Sequence, residues 1–358
     1  MITENALQKQ SEMIDMLRFP LIILVVFVHM APSEQQMLSW NLDGHSLFLS
    51  ISEIVSHHIG QLAVPFFFVF SGYFFFLKSK SWSFSTYTDQ LGKRVKTLLI
   101  PYIFWNVIIV AIIVTLQVSY TFLGLGINAN YRVLQINTVF DLFWGLPINI
   151  PLWYIRDLMV MVVLSPLFYY FFNTTKYVGL LVLVLFYLSA FESGFPGLGS
   201  TAIMYFGLGT YMGVYKVDAR PFCLRYGKLF LFLAVLFLLL DLYFINHFLS
   251  KYFYRAFLLC ILPAIYFAAI KSAKGGRLTK KLISLAPTVF FIYAVHTIYF
   301  LDKLKALWLK TPMSASGWGM LIGYLLIPFM CIGVILLVYY VFKKFLPSVL
   351  AFATGSRA

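Results

Sequence analysis

Residues 229–240 read Leu-Phe-Leu-Phe-Leu-Ala-Val-Leu-Phe-Leu-Leu-Leu, an apolar run without a polar face. Such a run is typical of a helix surrounded by lipid, because strands of a membrane barrel alternate apolar and polar residues. Similar runs recur along all 358 residues, of which 61% are hydrophobic and only 11% charged. Soluble domains average about 25% charged residues. The sequence therefore predicts an all-α, polytopic membrane protein.

About ten transmembrane helices are predicted, since a bilayer core needs about 20 apolar residues per helix. Acidic residues precede the first apolar run and no small-residue cleavage site follows it, so this run is predicted to be a retained span and not a signal peptide. Residues 1–346 are predicted to form one transmembrane domain and residues 347–358 a short cytoplasmic tail. The predicted spans are residues 16–32, 60–78, 98–121, 151–172, 177–192, 200–215, 229–247, 254–270, 283–301 and 317–342.

The formal net charge of +14 arises from basic residues that cluster in short loops. In a membrane protein this pattern indicates topology, because cytoplasmic loops carry an excess of Lys and Arg. Every second loop fits this rule, so both termini are predicted to be cytoplasmic, and no nucleic-acid surface is predicted. The basic loops are those around Lys78–Lys96, Lys216–Lys228, Lys271–Lys281 and Lys343–Lys344.

No metal centre is predicted. The three cysteines (Cys223, Cys260 and Cys331) are isolated and lack the spacing of metal ligands. Two predicted outer segments are longer than simple connections. Residues 33–60 hold three histidines, and residues 122–150 hold several polar side chains.

The first span carries two ionisable residues, Arg18 and His29. They lie eleven residues apart, close to three helical turns, so they share one face and are separated by roughly 16 Å along the axis. Ionisable groups inside a membrane are costly and mark functional sites by default. A neutral imidazole can accept a proton from a hydroxyl near neutral pH. The alternatives are a snorkelling cytoplasmic anchor for Arg18 and a packed histidine for His29.

Other polar residues in the spans favour structural roles when each is considered alone. Ser71 and Gly72 in an aromatic wall favour close helix packing. Three basic residues lie close together before the third span, namely Lys93, Arg94 and Lys96. They could bind phosphates at the membrane surface, or they could simply reflect the positive-inside rule. Further polar side chains within the apolar spans are Trp153, Tyr154, Arg156, Asp157, Tyr293 and His296. Asp241 is an isolated acid, and Arg255 is its expected partner.

Taken together and in order, these segments resemble the acyltransferase-3 family of integral membrane O-acyltransferases, of the type that acetylates bacterial cell-surface glycans. The segments that carry the resemblance are Ile14–Arg18 (IDMLR), Val25–His29 (VVFVH), Val64–Tyr73 (VPFFFVFSGY), Lys93–Tyr102 (KRVKTLLIPY), Leu152–Leu158 (LWYIRDL) and Ile292–His296 (IYAVH). The family's R-x-x-R motif departs here, since Arg94 fits its first arginine but Thr97 occupies the second position.

The resemblance implies a transferase in the bacterial cytoplasmic membrane. It would move an acyl group, expected to be acetyl, from cytoplasmic acyl-CoA to a hydroxyl of an extracytoplasmic glycan or lipid-linked sugar. His29 and Arg18 match the family's catalytic pair, with His29 as base or transient acyl carrier. Lys93, Arg94 and Lys96 would bind the donor, Glu34 would orient the imidazole, and Ser71, Trp153, Arg156, Tyr293 and His296 would support the site.

Two rival interpretations remain. A transporter or exporter of polysaccharide or lipid-linked sugar would also have many spans and a basic inner face, although such proteins often show two related halves and none is seen here. A non-catalytic membrane scaffold is also compatible with the spans, but it leaves Arg18 and His29 on one helix face unexplained. Transfer of label from acyl-CoA to a glycan would distinguish an acyltransferase from a transporter and from a scaffold.

Overall fold

A computed structural model of the chain describes residues 4–31, 38, 41–77, 82–124, 138–273 and 275–356, and its regular elements in these ranges are all helical. The predicted all-α fold class is confirmed. The helices are α1 (Glu4–Val28), α2 (Gly44–Leu77), α3 (Phe84–Phe122), α4 (Trp153–Val163), α5 (Ser165–Thr175), α6 (Tyr177–Leu188), α7 (Ser200–Val214), α8 (Ala219–Tyr243), α9 (Ser250–Ser272), α10 (Arg277–Val295), α11 (Asp302–Leu309), α12 (Gly317–Phe345) and α13 (Pro347–Thr354).

Six helices in the described ranges are long and apolar enough to cross a membrane, namely α2, α3, α8, α9, α10 and α12. The segments Ile150–Val163 and Ser165–Thr175 meet at 57° and would add a seventh as one broken span. The other three predicted spans, residues 16–32, 177–192 and 200–215, correspond to α1, α6 and α7. Helices α6 and α7 have 12 and 15 residues, and the last 18 residues of α1 include three charged side chains, those of Glu12, Asp15 and Arg18. A multi-pass helical membrane protein is confirmed, and the number ten stays a prediction.

Helix α2 begins sixteen residues earlier than the predicted second span. Asp43 caps its start, where the carboxylate accepts hydrogen bonds from the backbone N–H groups of His45 and Ser46 at 3.0 Å. These bonds lower the pKa of the Asp43 carboxyl below its ordinary value, and the bond from Ser46 has the largest effect. Much of the predicted outer segment 33–60 is therefore helix, and its histidines sit on a rigid element.

Helices α2 and α7 pack with their backbones in close contact because glycines line the interface. A Cβ atom on Gly72 would overlap the carbonyl oxygen of Phe206, and one on Gly209 would overlap that of Val69. Small residues allow such approach between membrane helices, where association depends on shape and packing and not on hydrophobicity. The packing role expected for Gly72 is thus seen in the structure.

We expect Gly209→Ala to destabilise the protein by about 1–3 kcal/mol, the usual cost of overpacking. The added methyl group meets backbone atoms of α2, which cannot move aside as a flexible side chain can. Gly333→Ala in α12 is the matched control, since no other described part of the chain lies within 4 Å of its Cβ position. Melting temperatures of the purified proteins in detergent test this, and equal values for Gly209→Ala and wild type would contradict it.

The two ends of α1 contact the segments that the charge pattern assigned to opposite membrane faces. Near its start, the Gln10 side chain hydrogen bonds with the backbone of Val217 and Ala219 in a basic loop. Near its end, the carbonyl of Phe27 accepts a 2.5 Å hydrogen bond from Ser56, in the predicted outer segment. This arrangement is consistent with the predicted alternation of loops, while the cytoplasmic orientation of the termini stays a prediction.

The last helix, α13, packs against α3. The indole N–H of Trp105 donates to the carbonyl of Ala353 at 2.9 Å, and the rings of Phe104 and Phe352 meet edge to face. Leu350 and Thr354 are buried. Residues 347–354 are therefore part of the helical packing. The cytoplasmic location of this segment stays a prediction.

Candidate active site

A cavity of about 1170 Å³ runs between α1, α2, the N-terminal part of α3, α4 and α10. Residues from Arg18 to His29 of the first helical segment line it along its length. Of the predicted site residues, seven line this one cavity: Arg18, His29, Ser71, Lys93, Arg94, Trp153 and Tyr293. Segments far apart in the chain thus meet around a single space.

One end of the cavity is cationic. The guanidinium of Arg18 lies 5.8 Å from the ring centre of Phe74, and that of Arg94 lies 5.5 Å from the ring centre of Phe75. Two neighbouring phenylalanines of α2 therefore hold two arginines at one level of the bundle. Lys93 is exposed at the same end, so its ammonium group faces water. Asp15 pairs with Arg18 at 2.9 Å and is the one acid among the cavity-lining residues that the structure describes.

The middle of the cavity is aromatic with a few hydroxyl groups. The hydroxyls of Ser71 and Tyr154 lie 3.3 Å apart, and the Tyr154 ring packs edge-on against Phe68 and Tyr293. The Tyr293 hydroxyl donates to the carbonyl of Pro151, which ties α10 to the start of α4. This stretch suits a long, partly apolar chain, because ligand pockets combine apolar walls with a few polar groups.

His29 lines the other end of the cavity, just after the last residue of α1. Its backbone carbonyl accepts a 3.1 Å hydrogen bond from the ammonium group of Lys305 in α11. The ring of His296 lies beside it, with 5.1 Å between the two ring centres. His296 is completely buried. Two imidazoles therefore meet at the end of the cavity opposite the arginines.

The tautomer of His296 follows from its neighbours. Its Nδ1 lies 3.1 Å from the carbonyl oxygen of Ile292 and 2.8 Å from that of Tyr293. Carbonyl oxygens only accept, so Nδ1 carries the hydrogen and the neutral ring has its lone pair on Nε2. This Nε2 is buried and has no hydrogen-bond partner among the residues that the structure describes. A π-helical turn, His296–Leu301, begins at this residue, and such turns are frequent at functional sites.

Other predicted site residues lie elsewhere. Lys96 is exposed and does not line the cavity, although it belongs to the same basic segment as Lys93. The guanidinium of Arg156 is bound by Asp157 and by the carbonyls of Trp144 and Gly145, so it braces the chain before α4. Glu34 falls outside the described residues.

The expected pairing of Asp241 with Arg255 is wrong. Asp241 instead accepts hydrogen bonds from His58 at 2.8 Å and from Ser250 at 2.6 Å. Arg255 binds Glu192 and the carbonyl of Tyr187. Asp241 lies near the end of α8 and Arg255 near the start of α9, so their closeness in sequence suggested a pair. In the structure the two side chains contact different neighbours.

Sequence reasoning missed several polar residues at the cavity. Gln61 and Gln90 line it, and Lys305 holds the backbone of His29. Glutamines are too common at interfaces to mark a site, and Lys305 belongs to a separate helix whose contact with α1 no local pattern predicts. Its position as a polar residue next to Gly60 was the one available signal for Gln61.

Comparison with known proteins assigns the chain to a family. Residues 12–343 match the acyltransferase-3 family, which is described as an acyltransferase domain. The chain is 24% identical over 357 residues to the succinoglycan biosynthesis protein ExoH of Rhizobium meliloti strain 1021, across 97% of this chain and 92% of that protein. No solved structure matches the chain. The helical bundle, its cavity and the match over nearly the whole length agree, and the chain belongs to the acyltransferase-3 family of membrane acyltransferases.

Proposed function

We propose that this protein transfers an acyl group, acetyl in the first instance, from cytoplasmic acyl-CoA to a hydroxyl of an extracytoplasmic glycan or lipid-linked sugar. The observation that carries the proposal is one cavity with cations at one end and His29 at the other. In the predicted topology the cationic end faces the cytoplasm, where acyl-CoA is made. The His29 end then opens toward the bacterial cell surface.

Arg18, Lys93 and Arg94 would bind the phosphates of the coenzyme. Arginine suits this task because its planar guanidinium donates two hydrogen bonds to one phosphate, and lysine adds a point charge. The aromatic middle of the cavity would hold the coenzyme's extended arm. Asp15 partly neutralises Arg18 when no donor is bound, so a phosphate would compete with a carboxylate that is about one-third exposed.

His29 would act as the general base. Its ring nitrogen takes the proton of the acceptor hydroxyl while the hydroxyl oxygen forms a bond to the thioester carbonyl carbon. The carbon–sulfur bond then breaks, the product is an ester, and the thiolate of the coenzyme takes the proton from His29 as it leaves. Proton and electron pairs balance without any further reactant.

His296 would position His29 and stabilise its protonated form. The lone pair on the buried Nε2 of His296 is an acceptor next to the ring that gains a proton. Hydrogen bonds to a charged donor are about twice as strong as neutral ones. A neutral acceptor also avoids placing two positive imidazoles side by side in a buried space.

The acceptor is proposed to be a cell-surface polysaccharide or its lipid-linked precursor. The relative ExoH is a succinoglycan biosynthesis protein, and it aligns with nearly the whole chain. A glycan offers many hydroxyl groups on the outer side of the membrane. Acyl transfer across the membrane avoids exporting the coenzyme, because only the thioester end must reach His29.

Purified protein incubated with radiolabelled acetyl-CoA and a surface glycan tests the proposal. The glycan is taken from a strain that lacks the gene, so its acceptor hydroxyls are unmodified. We expect label on the glycan and free thiol in equal amounts. An exporter would leave the label on the coenzyme. Mass spectrometry of surface glycans from cells with and without the gene identifies the acyl group and the modified sugar.

Lys93→Ala is expected to raise the KM for acetyl-CoA by about 3- to 10-fold, the range for one exposed phosphate contact. Lys96→Ala is the matched control, because Lys96 belongs to the same basic segment but lies outside the cavity. We expect its KM to equal that of the wild type. An equal increase for both variants would mean that the basic segment acts through its total charge and not through a binding site.

A further inference from the structure

A second cavity, of about 610 Å³, lies near the His29 end of the bundle, between α2, the end of α8 and the start of α9. Its volume falls in the range of small-molecule pockets, roughly 300–1,000 Å³. Nine of the ten lining residues have a polar side chain. The lining residues are His57, His58, Gln61, Asp241, Asn246, His247, Phe248, Ser250, Lys251 and Tyr254.

The floor of this cavity is a buried chain of three ionisable side chains. His58 lies between two carboxylates, with Nδ1 2.8 Å from Asp241 and Nε2 3.3 Å from Glu53. Their exposed fractions are 2%, 1% and 0%. The hydroxyl of Ser250 donates to the second oxygen of Asp241 at 2.6 Å. Side chains from α2, α8 and α9 thus form one rigid network.

The charge of this network follows from its geometry. The Nδ1 of His58 is hydrogen bonded to Asp241, and its Nε2 lies 3.3 Å from a carboxylate oxygen of Glu53, so an imidazolium here would face a carboxylate from each nitrogen. In that state, two carboxylates and one imidazolium would carry one net negative charge under the cavity floor. Burying such a group costs free energy that an apolar core does not. Packing alone is therefore a poor reason for placing it beneath a polar cavity.

The rim supplies hydrogen-bond donors. The Nδ1 of His247 accepts from the backbone N–H of Leu249 at 3.3 Å, so the neutral ring carries its hydrogen on Nε2. The Lys251 ammonium and the Asn246 amide are exposed beside it. Phe248, with 67% of its surface exposed, adds an apolar face at the mouth.

A mixture of this kind fits a sugar. An anion site needs donors alone, and a cation site needs acceptors alone. Sugar hydroxyls both donate and accept, so they require acidic, amide and cationic groups around one space, with an apolar surface for the C–H face. Among the described residues, no group of three His, Cys, Asp or Glu side chains is arranged to hold a metal ion.

Gln61 joins this cavity to the candidate active site. It lines both spaces, and it follows Gly60, which lines the larger cavity with His29. We propose that the second cavity binds a sugar residue of the acceptor glycan and directs a neighbouring hydroxyl past Gln61 to His29. This inference rests on the proposed function and adds the acceptor subsite to it.

The test uses the double variant Asn246→Gly, Lys251→Ala in the full-length protein. Asn246 has a φ of 69°, a left-handed conformation that glycine adopts freely, so this change removes the amide without backbone strain. Two exposed hydrogen-bonding groups are lost. We expect the KM for the unmodified surface glycan to rise by about tenfold or more. The KM for acetyl-CoA should change by less than about twofold, since no cation at the donor end is altered.

Lys310→Ala is the matched control, an exposed lysine that lies outside this cavity. Binding of fragments of the same glycan to each purified protein, without acyl donor, gives an independent readout. Weaker binding by the double variant alone supports the subsite. Equal binding by all three proteins, or no binding by the wild type, overturns it. If the wild type binds glycan but moves no label, the proposed function fails and the subsite is judged by binding.

Discussion

Replacing His29 by alanine should lower the rate of acyl transfer by about 10²- to 10⁴-fold, the usual contribution of a general base. The cationic end of the cavity is untouched, so the KM for acetyl-CoA should stay near its wild-type value. His29 follows the last residue of α1, and its attachment to Lys305 runs through its backbone carbonyl. The fold should therefore survive the substitution. Transfer by the purified variant at saturating donor and glycan measures the effect.

His45→Ala provides the control for this experiment. His45 is exposed on α2 and lies outside both cavities. We expect full activity from it. A His29→Ala protein that retains a tenth or more of wild-type transfer would remove His29 from the catalytic role. Mass spectrometry of wild-type protein quenched during turnover separates the base from the acyl carrier, because a carrier leaves an acyl group on the His29 peptide.

His296→Phe should lower kcat by about 10- to 100-fold, the effect of one hydrogen bond to a charged group. Phenylalanine keeps an aromatic ring of similar size in this buried site but removes both nitrogens. The bonds to the carbonyls of Ile292 and Tyr293 are lost together with the lone pair near His29. We expect unchanged KM values for donor and glycan, because His296 does not line the cavity itself.

A double-mutant cycle distinguishes positioning from packing. If His296 acts through His29, then His296→Phe has little further effect in a His29→Ala background. A merely structural role would lower the activity by the same factor in both backgrounds. His296→Gln adds a rescue test, since its amide oxygen offers an acceptor again. Recovery of part of the lost kcat by glutamine supports the acceptor role, and equal loss in both variants argues against it.

Several features of the site were accessible from the sequence because they depend on one helix. Arg18 and His29 occupy one face through the helical period, and both line the cavity. The Ser71-Gly72 pair predicted a close helix contact, which α2 makes with α7. Basic loops and apolar runs are also local patterns, so the multi-pass character followed from composition and spacing.

Features that join distant helices were not accessible in the same way. Asp241 finds His58, which lies 183 residues away in sequence, and not the nearer Arg255. Lys93 lines the cavity, whereas Lys96 in the same segment does not. A π-helical turn, Val95–Leu99, begins two residues after Lys93 and contains Lys96, so it shifts the helical register that a regular period would predict.

Composition and residue spacing were enough to infer that the chain lies in lipid, that it is helical, and that Arg18 and His29 share a face. A helix satisfies its own backbone hydrogen bonds, which makes it the natural form for long apolar runs in lipid. The groups around His29 became visible in the packing of the helices, which brings His296, Lys305 and Gln61 to it. Membrane helices are apolar on every face, so their neighbours are chosen by shape and small-residue contacts that no hydrophobic pattern records.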